Sequence, residues 1–166
     1  MYLDLHEIIE VPGKSVPFSC ELDKQRISFA ALTSFEGPVT AEGIVQNTAG
    51  VLGLRGSVKA SMLVRCDRCG TEYSTQSDLP VSVVLAEDAE DADADDVFPL
   101  DGDGVDVTDL LETCFIIATE TQHLCRPDCK GLCPVCGKNL NNGPCGCKKQ
   151  TDPRMAVLGQ LLDTEE

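Results

Sequence analysis

Eight of the 10 cysteines in this 166-residue chain stand in four close pairs: Cys66 with Cys69, Cys125 with Cys129, Cys133 with Cys136, and Cys145 with Cys147. No other feature restricts the fold as much, because thiols that converge on a common point dictate which turns must meet. The stretch "CRPDCKGLCPVCGKNLNNGPCGC", residues 125 to 147, holds six of these cysteines but only Leu132, Val135 and Leu140 as sizeable apolar side chains. Those three cannot build a core. A metal can order such a segment, because its binding free energy becomes folding free energy. "CDRCG" and "CPVCG" each place two thiolates at C-x2-C spacing with Gly directly after. Two intervening residues let a tight turn aim both sulfurs at one ion, the Gly lets backbone N–H groups approach the sulfurs, and two such pairs complete a tetrahedral four-cysteine zinc site. "NLNNG" has the composition of the return turn towards "CGC".

The spacing predicts one structural zinc held by four of the six residues Cys125, Cys129, Cys133, Cys136, Cys145 and Cys147. Cys133 and Cys136 form the best pair, with Cys129 and either Cys147 or Cys145 expected beside them. A second four-cysteine site arises if Cys66 and Cys69 join, which requires their turn to lie against the C-terminal ribbon. Otherwise these two are a hairpin turn with spare thiols. His123 is expected to flank the site, and His6 is distant in sequence. Cys20 and Cys114 stand apart from the pairs and read as core residues, where free Cys is common.

The rest of the chain reads as an α+β fold whose core is an antiparallel β meander or small open barrel, with a few helices and a C-terminal zinc-ribbon-like segment. In "VLGLRGSVKASMLVRC" the residues Leu52, Leu54, Val58, Ala60, Met62 and Val64 alternate with polar ones, the period of a half-buried strand, and Gly56 marks a bulge or bend. "VTAEGIV" precedes it as a partner strand across the turn "QNTAG", and "TEYSTQSDLPVSVVL" follows as a third. "QRISFAAL" also has strand composition, whereas "DLHEIIEVPG" fits a short strand or a turn of helix. "VTDLLETCFIIATE" has helical spacing at Val107, Leu110, Leu111, Cys114 and Ala118, with Thr108 as N-cap and Asp109 in the first turn. Asp152–Pro153 starts a short C-terminal helix with Met155, Leu158 and Leu162 on one face. The expected organisation is a sheet core over 1–86, an acidic mobile loop over 87–106, and over 107–166 a helix, the cysteine segment and the final helix, packed with 1–86 as one domain.

Net charge is −15, and 11 of the 28 acidic residues lie between Glu87 and Asp109, where no Lys or Arg occurs. A surface of that sign repels phosphate and favours basic protein partners. The basic residues Arg65, Arg68, Arg126, Lys130, Lys138, Lys148, Lys149 and Arg154 cluster around the cysteines and offer a local face for RNA. The N-terminus has no signal-peptide pattern and no apolar run reaches membrane-span length, so the expected compartment is the reducing cytoplasm, where clustered cysteines hold metal more often than they form disulfides. No P-loop, dinucleotide fingerprint, nucleophile elbow or His/carboxylate constellation for an open metal site occurs, so neither an enzyme nor a small-molecule substrate is expected.

With "CDRCG" after a long strand, an acidic loop, and "DCKGLCPVCGKNLNNGPCGC" followed by "DPRMAVLGQLL", the chain resembles the large ribosomal RNA subunit accumulation protein family, the YceD-like proteins of bacteria and plastids. Gly70 stands where that family often has a larger residue, and some members lack the C-terminal cysteines. The resemblance implies a non-enzymatic factor for 23S ribosomal RNA accumulation or processing and large-subunit biogenesis. The charge pattern then points to a basic ribosomal protein or pre-50S particle as partner, with ribosomal RNA contact through the basic face. Two other classes fit the cysteines: a zinc- or redox-responsive regulatory protein, and a transcription-associated zinc ribbon, which the net charge disfavours.

Overall fold

The alternating stretch of residues 51–65 forms the longest ladder of the protein. A computed structural model describes residues 1–86 and 97–147. Along these run β1 (Tyr2–Asp4), α1 (His6–Ile9), β2 (Ser15–Glu21), β3 (Leu32–Phe35), β4 (Thr40–Thr48), β5 (Val51–Arg65), β6 (Glu72–Ala86), β7 (Val97–Pro99), β8 (Gly104–Asp106), α2 (Val107–Ala118) and a 3-10 turn at Leu140–Asn142. The main sheet has the order β2-β4-β5-β6-β7, and β3 pairs with the far half of β5. β4, β5 and β6 form the expected antiparallel meander, but the sheet is open and does not close into a barrel. β7 departs from the antiparallel rule by pairing parallel to β6, with Val84 opposite Val97. β1 and β8 make a separate two-stranded sheet.

Leu52, Leu54, Val58, Ala60, Met62 and Val64 of β5 all enter the core, together with Val81, Val83 and Leu85 of β6 and Val39, Ala41 and Val45. Gly56 is not at a bulge, since the register runs unbroken from Thr40↔Lys59 to Thr48↔Val51. It faces Gly43, and a side chain at Gly56 would collide with the Glu42 carbonyl, so two glycines opposite each other allow close backbone approach. "QRISFAAL" is mostly loop, with a strand only from Leu32. Side chains override its strand propensity: the Asp23 carboxylate accepts Gln25 N–H (2.9 Å), and Arg26 reaches Asp109 and Glu112 on α2. "DLHEIIEVPG" supplies both a strand end and a helical turn.

A 12-residue helix is marginal alone, so packing decides α2. Val107, Leu110, Leu111 and Phe115 are buried, each contributing about 1.5–3 kcal/mol. The buried face is rotated from the expected one: Phe115 is inside, Cys114 is half-buried and Ala118 is exposed. Phe115 has more apolar surface to remove from water than Ala118, so the helix turns towards it. The N-cap is Asp106, not Thr108; its carboxylate accepts Thr108 N–H (3.0 Å) and Asp109 N–H (3.3 Å). Glu112 is buried because its carboxylate accepts Asp23 N–H (3.0 Å) and lies 3.1 Å from Arg26 Nη1. Cys20 and Cys114 both pack at the margin of the main core, half-buried.

β7 and β8 fall within 87–106, where a loop was expected, because Phe98 and Val105 pack into the main core. The acidic run 87–96, the C-terminal helix expected from Asp152 with Met155, Leu158 and Leu162, and the basic Lys148, Lys149 and Arg154 lie outside the described residues. Among the described residues, no helix is long and apolar enough to cross a membrane.

Candidate metal centres

The turn between β5 and β6 begins at Cys66. Cys66 N–H donates to Thr71 O (3.0 Å), and Gly70 N–H donates back to Cys66 O (2.8 Å). The same pattern recurs from Cys133, whose N–H donates to Lys138 O (2.8 Å) while Gly137 N–H donates to Cys133 O (2.8 Å). Gly70 and Gly137 have φ of 70° and 71°, the left-handed conformation that explains why Gly follows each C-x2-C. "CDRCG" and "CPVCG" are therefore one local structure used twice, first on the tip of the longest hairpin and again in the cysteine-rich segment.

These turns organise two groups of sulfurs: Cys66, Cys69, Cys125 and Cys129 in one, and Cys133, Cys136, Cys145 and Cys147 in the other, with all sulfurs of a group within 4.8 Å of one another. In the first, Cys66 Sγ lies 3.8 Å from Cys129 Sγ, and Cys69 Sγ lies 3.7 Å from Cys125 Sγ. A tetrahedron with zinc–sulfur bonds of about 2.3 Å has edges of about 3.8 Å, whereas a disulfide needs about 2.05 Å. The thiols are free and the spacing fits a four-thiolate metal site. Each group offers four sulfurs and no His or carboxylate, so coordination would be closed, as in structural sites.

Of the sequence-predicted residues, Cys133, Cys136, Cys145 and Cys147 come together. Cys129 lies not beside Cys133 but with Cys66, Cys69 and Cys125. The reason is a backbone clamp onto the β5–β6 turn: Asp67 N–H donates to His123 O (2.8 Å), His123 N–H donates to the Asp67 carboxylate (2.6 Å), and Arg68 Nη1 donates to Cys129 O (3.3 Å). His123 flanks the first group and its ring stacks on Phe29, centroids 5.4 Å apart. His6 lies elsewhere, 3.3 Å from the Asp103 carboxylate.

Thiol electrostatics divide each group. The Thr71 side chain, then its backbone N–H, hold Cys69 down at about 6. Backbone N–H groups of Cys136 and Val135 hold Cys133 down at about 6. Burial opposes ionisation of Cys66, but N–H groups of Cys125, Cys69 and Arg68 bring it below its usual value. By contrast burial, then the neighbouring Cys69 and Cys129, push Cys125 up to about 12, and contact with Cys136, then burial, pushes Cys147 up to about 12. Four thiols sharing one small volume cannot all carry charge; a divalent cation removes that conflict.

Several supporting residues have no motif of their own. Thr71 and Arg68 sit in the first turn, and Asn141 in the 3-10 turn and Asn139, its N-cap, reach the first group: Asn141 Nδ2 donates to Cys129 Sγ (3.2 Å) and Asn139 Nδ2 to Thr71 Oγ1 (3.3 Å). In the sequence "NLNNG" signals only a turn. The nearby basic side chains are partly committed: Arg126 lies 3.6 Å from the Asp128 carboxylate, and Lys138 Nζ donates to Pro144 O (3.1 Å).

Fold and site together define a sheet protein with a ribbon of two four-cysteine clusters, the first completed by the sheet's own longest hairpin. The chain belongs to the YceD family: the family model described as large ribosomal RNA subunit accumulation protein YceD matches residues 54–162, a span that includes all eight clustered cysteines. It is similar to uncharacterised proteins of Mycobacterium bovis and Mycobacterium tuberculosis, each 34% identical over 122 residues, covering 70% of this chain and 58% of theirs. It is also similar to the chloroplastic large ribosomal RNA subunit accumulation protein YCED homolog 1 of Zea mays, 24% identical over 153 residues and covering 52% of that protein. The chain thus spans little more than half the length of these relatives. No solved structure matches it.

Proposed function

We propose that this chain is a non-catalytic factor for 23S ribosomal RNA accumulation or processing in large-subunit biogenesis, built around two structural zinc ions. It acts by binding a basic ribosomal protein or an early large-subunit particle. Family membership carries this reading. It is supported by the all-cysteine clusters, which would leave a bound metal no open position for substrate, and by the net charge of −15, which favours a basic partner over bare RNA. Two surfaces are candidates: the acidic run 87–96, and the basic side chains Arg126, Lys130 and Lys138 beside the clusters.

Depleting the protein from its own cells and measuring large-subunit RNA and particles by sedimentation tests the reading. A deficit of 23S RNA restored by the wild-type chain is expected; normal levels, or turnover of a small substrate by the pure protein, would refute it. Neutralising 87–96 should weaken capture of ribosomal protein if the acidic surface binds, whereas Arg126→Ala with Lys130→Ala should weaken capture of RNA-containing particles if the basic one does. A zinc- or redox-responsive role is favoured by one observation, the exposure of Cys136 and Cys147. Zinc release by mild peroxide with a matching change in particle binding would support it, and release without such a change would eliminate it.

A further inference from the structure

We infer that the two cysteine clusters are one coupled unit, in which the turn closing the second cluster holds the outer hydrogen bonds of the first, with Asn141 as the positioning residue. The inference rests on the proposal that both clusters hold zinc.

Asn141 belongs by sequence to the second cluster, because it lies between Cys136 and Cys145. By contact it belongs to the first. Its Nδ2 donates to Cys129 Sγ (3.2 Å), its Oδ1 accepts Lys130 N–H (2.9 Å), and its own N–H is held by Asn139 Oδ1 (2.9 Å). Asn139 Nδ2 meanwhile donates to Thr71 Oγ1 (3.3 Å), which lies 3.3 Å from Cys69 Sγ. One 3-10 turn and its N-cap therefore reach two of the first cluster's four sulfurs, one directly and one through Thr71. An N–H aimed at a thiolate takes up part of its charge, and outer partners of metal ligands set affinity as well as orientation.

The coupling also runs the other way. Arg68 O, inside the first turn, accepts the N–H of Leu132 (3.1 Å), the residue before Cys133, and Leu140 N–H donates to Gly131 O (2.9 Å). Leu132 bridges to Asn139, so the strand-like start and end of the second ribbon are both fixed against the first cluster. Coupling of binding sites is reciprocal.

Exposure sets the order of events. Cys66, Cys69 and Cys129 are buried, whereas Cys136 and Cys147 are exposed. The second site loses its metal first; the turn Leu140–Asn142 then loses its metal anchors at Cys136 and Cys145, on either side of it, and the first site's outer donors are held less firmly. Metal leaves the buried site as a consequence of leaving the exposed one.

The test uses the purified full chain loaded with zinc, a competing chelator and a colorimetric zinc indicator. Wild type should release two equivalents in two phases. Asn141→Ala should quicken the slow phase by about 10–100-fold and change the fast phase little. Asn141→Asp should be no better than Ala, since it keeps the acceptor for Lys130 but puts a carboxylate against the thiolate; if Asn141 merely shaped the turn, Asp would be the milder change. In Cys133→Ser/Cys136→Ser the remaining zinc should leave about 10–100-fold faster than the wild-type slow phase, and adding Asn141→Ala there should have little further effect. A slow phase unchanged in Asn141→Ala, or a remaining zinc held as tightly as in wild type, overturns the coupling while leaving two zinc sites standing. Fewer than two equivalents in wild type overturns the two-zinc reading and the coupling with it.

Discussion

Gly131→Ala probes the joint between the two clusters with a single methyl group. Gly131 has φ of 72°, so an alanine there costs about 1–2 kcal/mol in backbone conformation. Its Cβ would also stand 2.9 Å from Arg68 O and 3.5 Å from Arg68 Cβ. The first of these is backbone and cannot rotate away. Moving Arg68 O lengthens the bond it accepts from Leu132 N–H, at present 3.1 Å, a loss of about 1 kcal/mol. The total is about 2–3 kcal/mol. Because such a segment folds with its metal, the loss appears as zinc affinity weakened by about 30–150-fold, at 1.4 kcal/mol per tenfold. Gly137→Ala is the matched control: its φ is 71°, but a Cβ there meets nothing within 4 Å, so only the backbone cost of about 1–2 kcal/mol applies. Competition with a zinc chelator, read on both variants and wild type, separates the two costs. Gly131→Ala should bind zinc about fivefold more weakly than Gly137→Ala, following the extra hydrogen-bond loss. Equal affinities for the two variants would refute the close packing of Gly131 against Arg68.

Asn47 is fully buried, with Nδ2 donating to Ile8 O (2.8 Å) and Ile9 O (2.7 Å) and Oδ1 accepting Gly50 N–H (2.8 Å). Asn47→Ala should lower the free energy of urea unfolding by about 3 kcal/mol, since stripped buried polar groups cost about 1–3 kcal/mol each; a loss below about 1 kcal/mol would contradict that network. Acidification should release zinc. The Cys69 and Cys133 thiols are held down at about 6, so the thiolate is the form the fold favours. Their stabilising contribution is present above the ordinary thiol value of about 8.5 and is lost as pH falls through about 6. Zinc retention should fall with decreasing pH, most steeply below that point, and pH-independent retention would contradict the thiolate assignment.

The parts of the fold legible in the sequence are those fixed by local period. The alternation of Leu52 to Val64 with their neighbours could bury only one face, and the hairpin partner on each side followed from adjacency. β7 was not legible, because its parallel pairing of Val97 with Val84 spans a long acidic stretch and no local signal encodes it. Gly56 carried an ambiguous signal: a glycine in a strand marks either a bulge or a close approach, and only the facing Gly43 distinguishes them. At the site, the C-x2-C-Gly turns announced themselves, whereas partnership between pairs did not. Cys129 is four residues from Cys133 in sequence, yet its place beside Cys66 is set by Asp67, Arg68 and His123, residues that carry no metal signature. Asn141 was invisible for a related reason: an Asn in a turn ordinarily serves its own turn, and here it serves the sulfur of a neighbouring cluster as well.

Grouping of the ligands is the claim on which both the proposed zinc centres and their coupling depend, and cadmium-113 substitution followed by heteronuclear NMR reads it directly. Each bound cadmium reports, through scalar couplings to cysteine β-protons, which residues ligate it. Two cadmium resonances are expected, one coupled to Cys66, Cys69, Cys125 and Cys129, the other to Cys133, Cys136, Cys145 and Cys147. A single resonance, or Cys129 sharing its cadmium with Cys133, would contradict it.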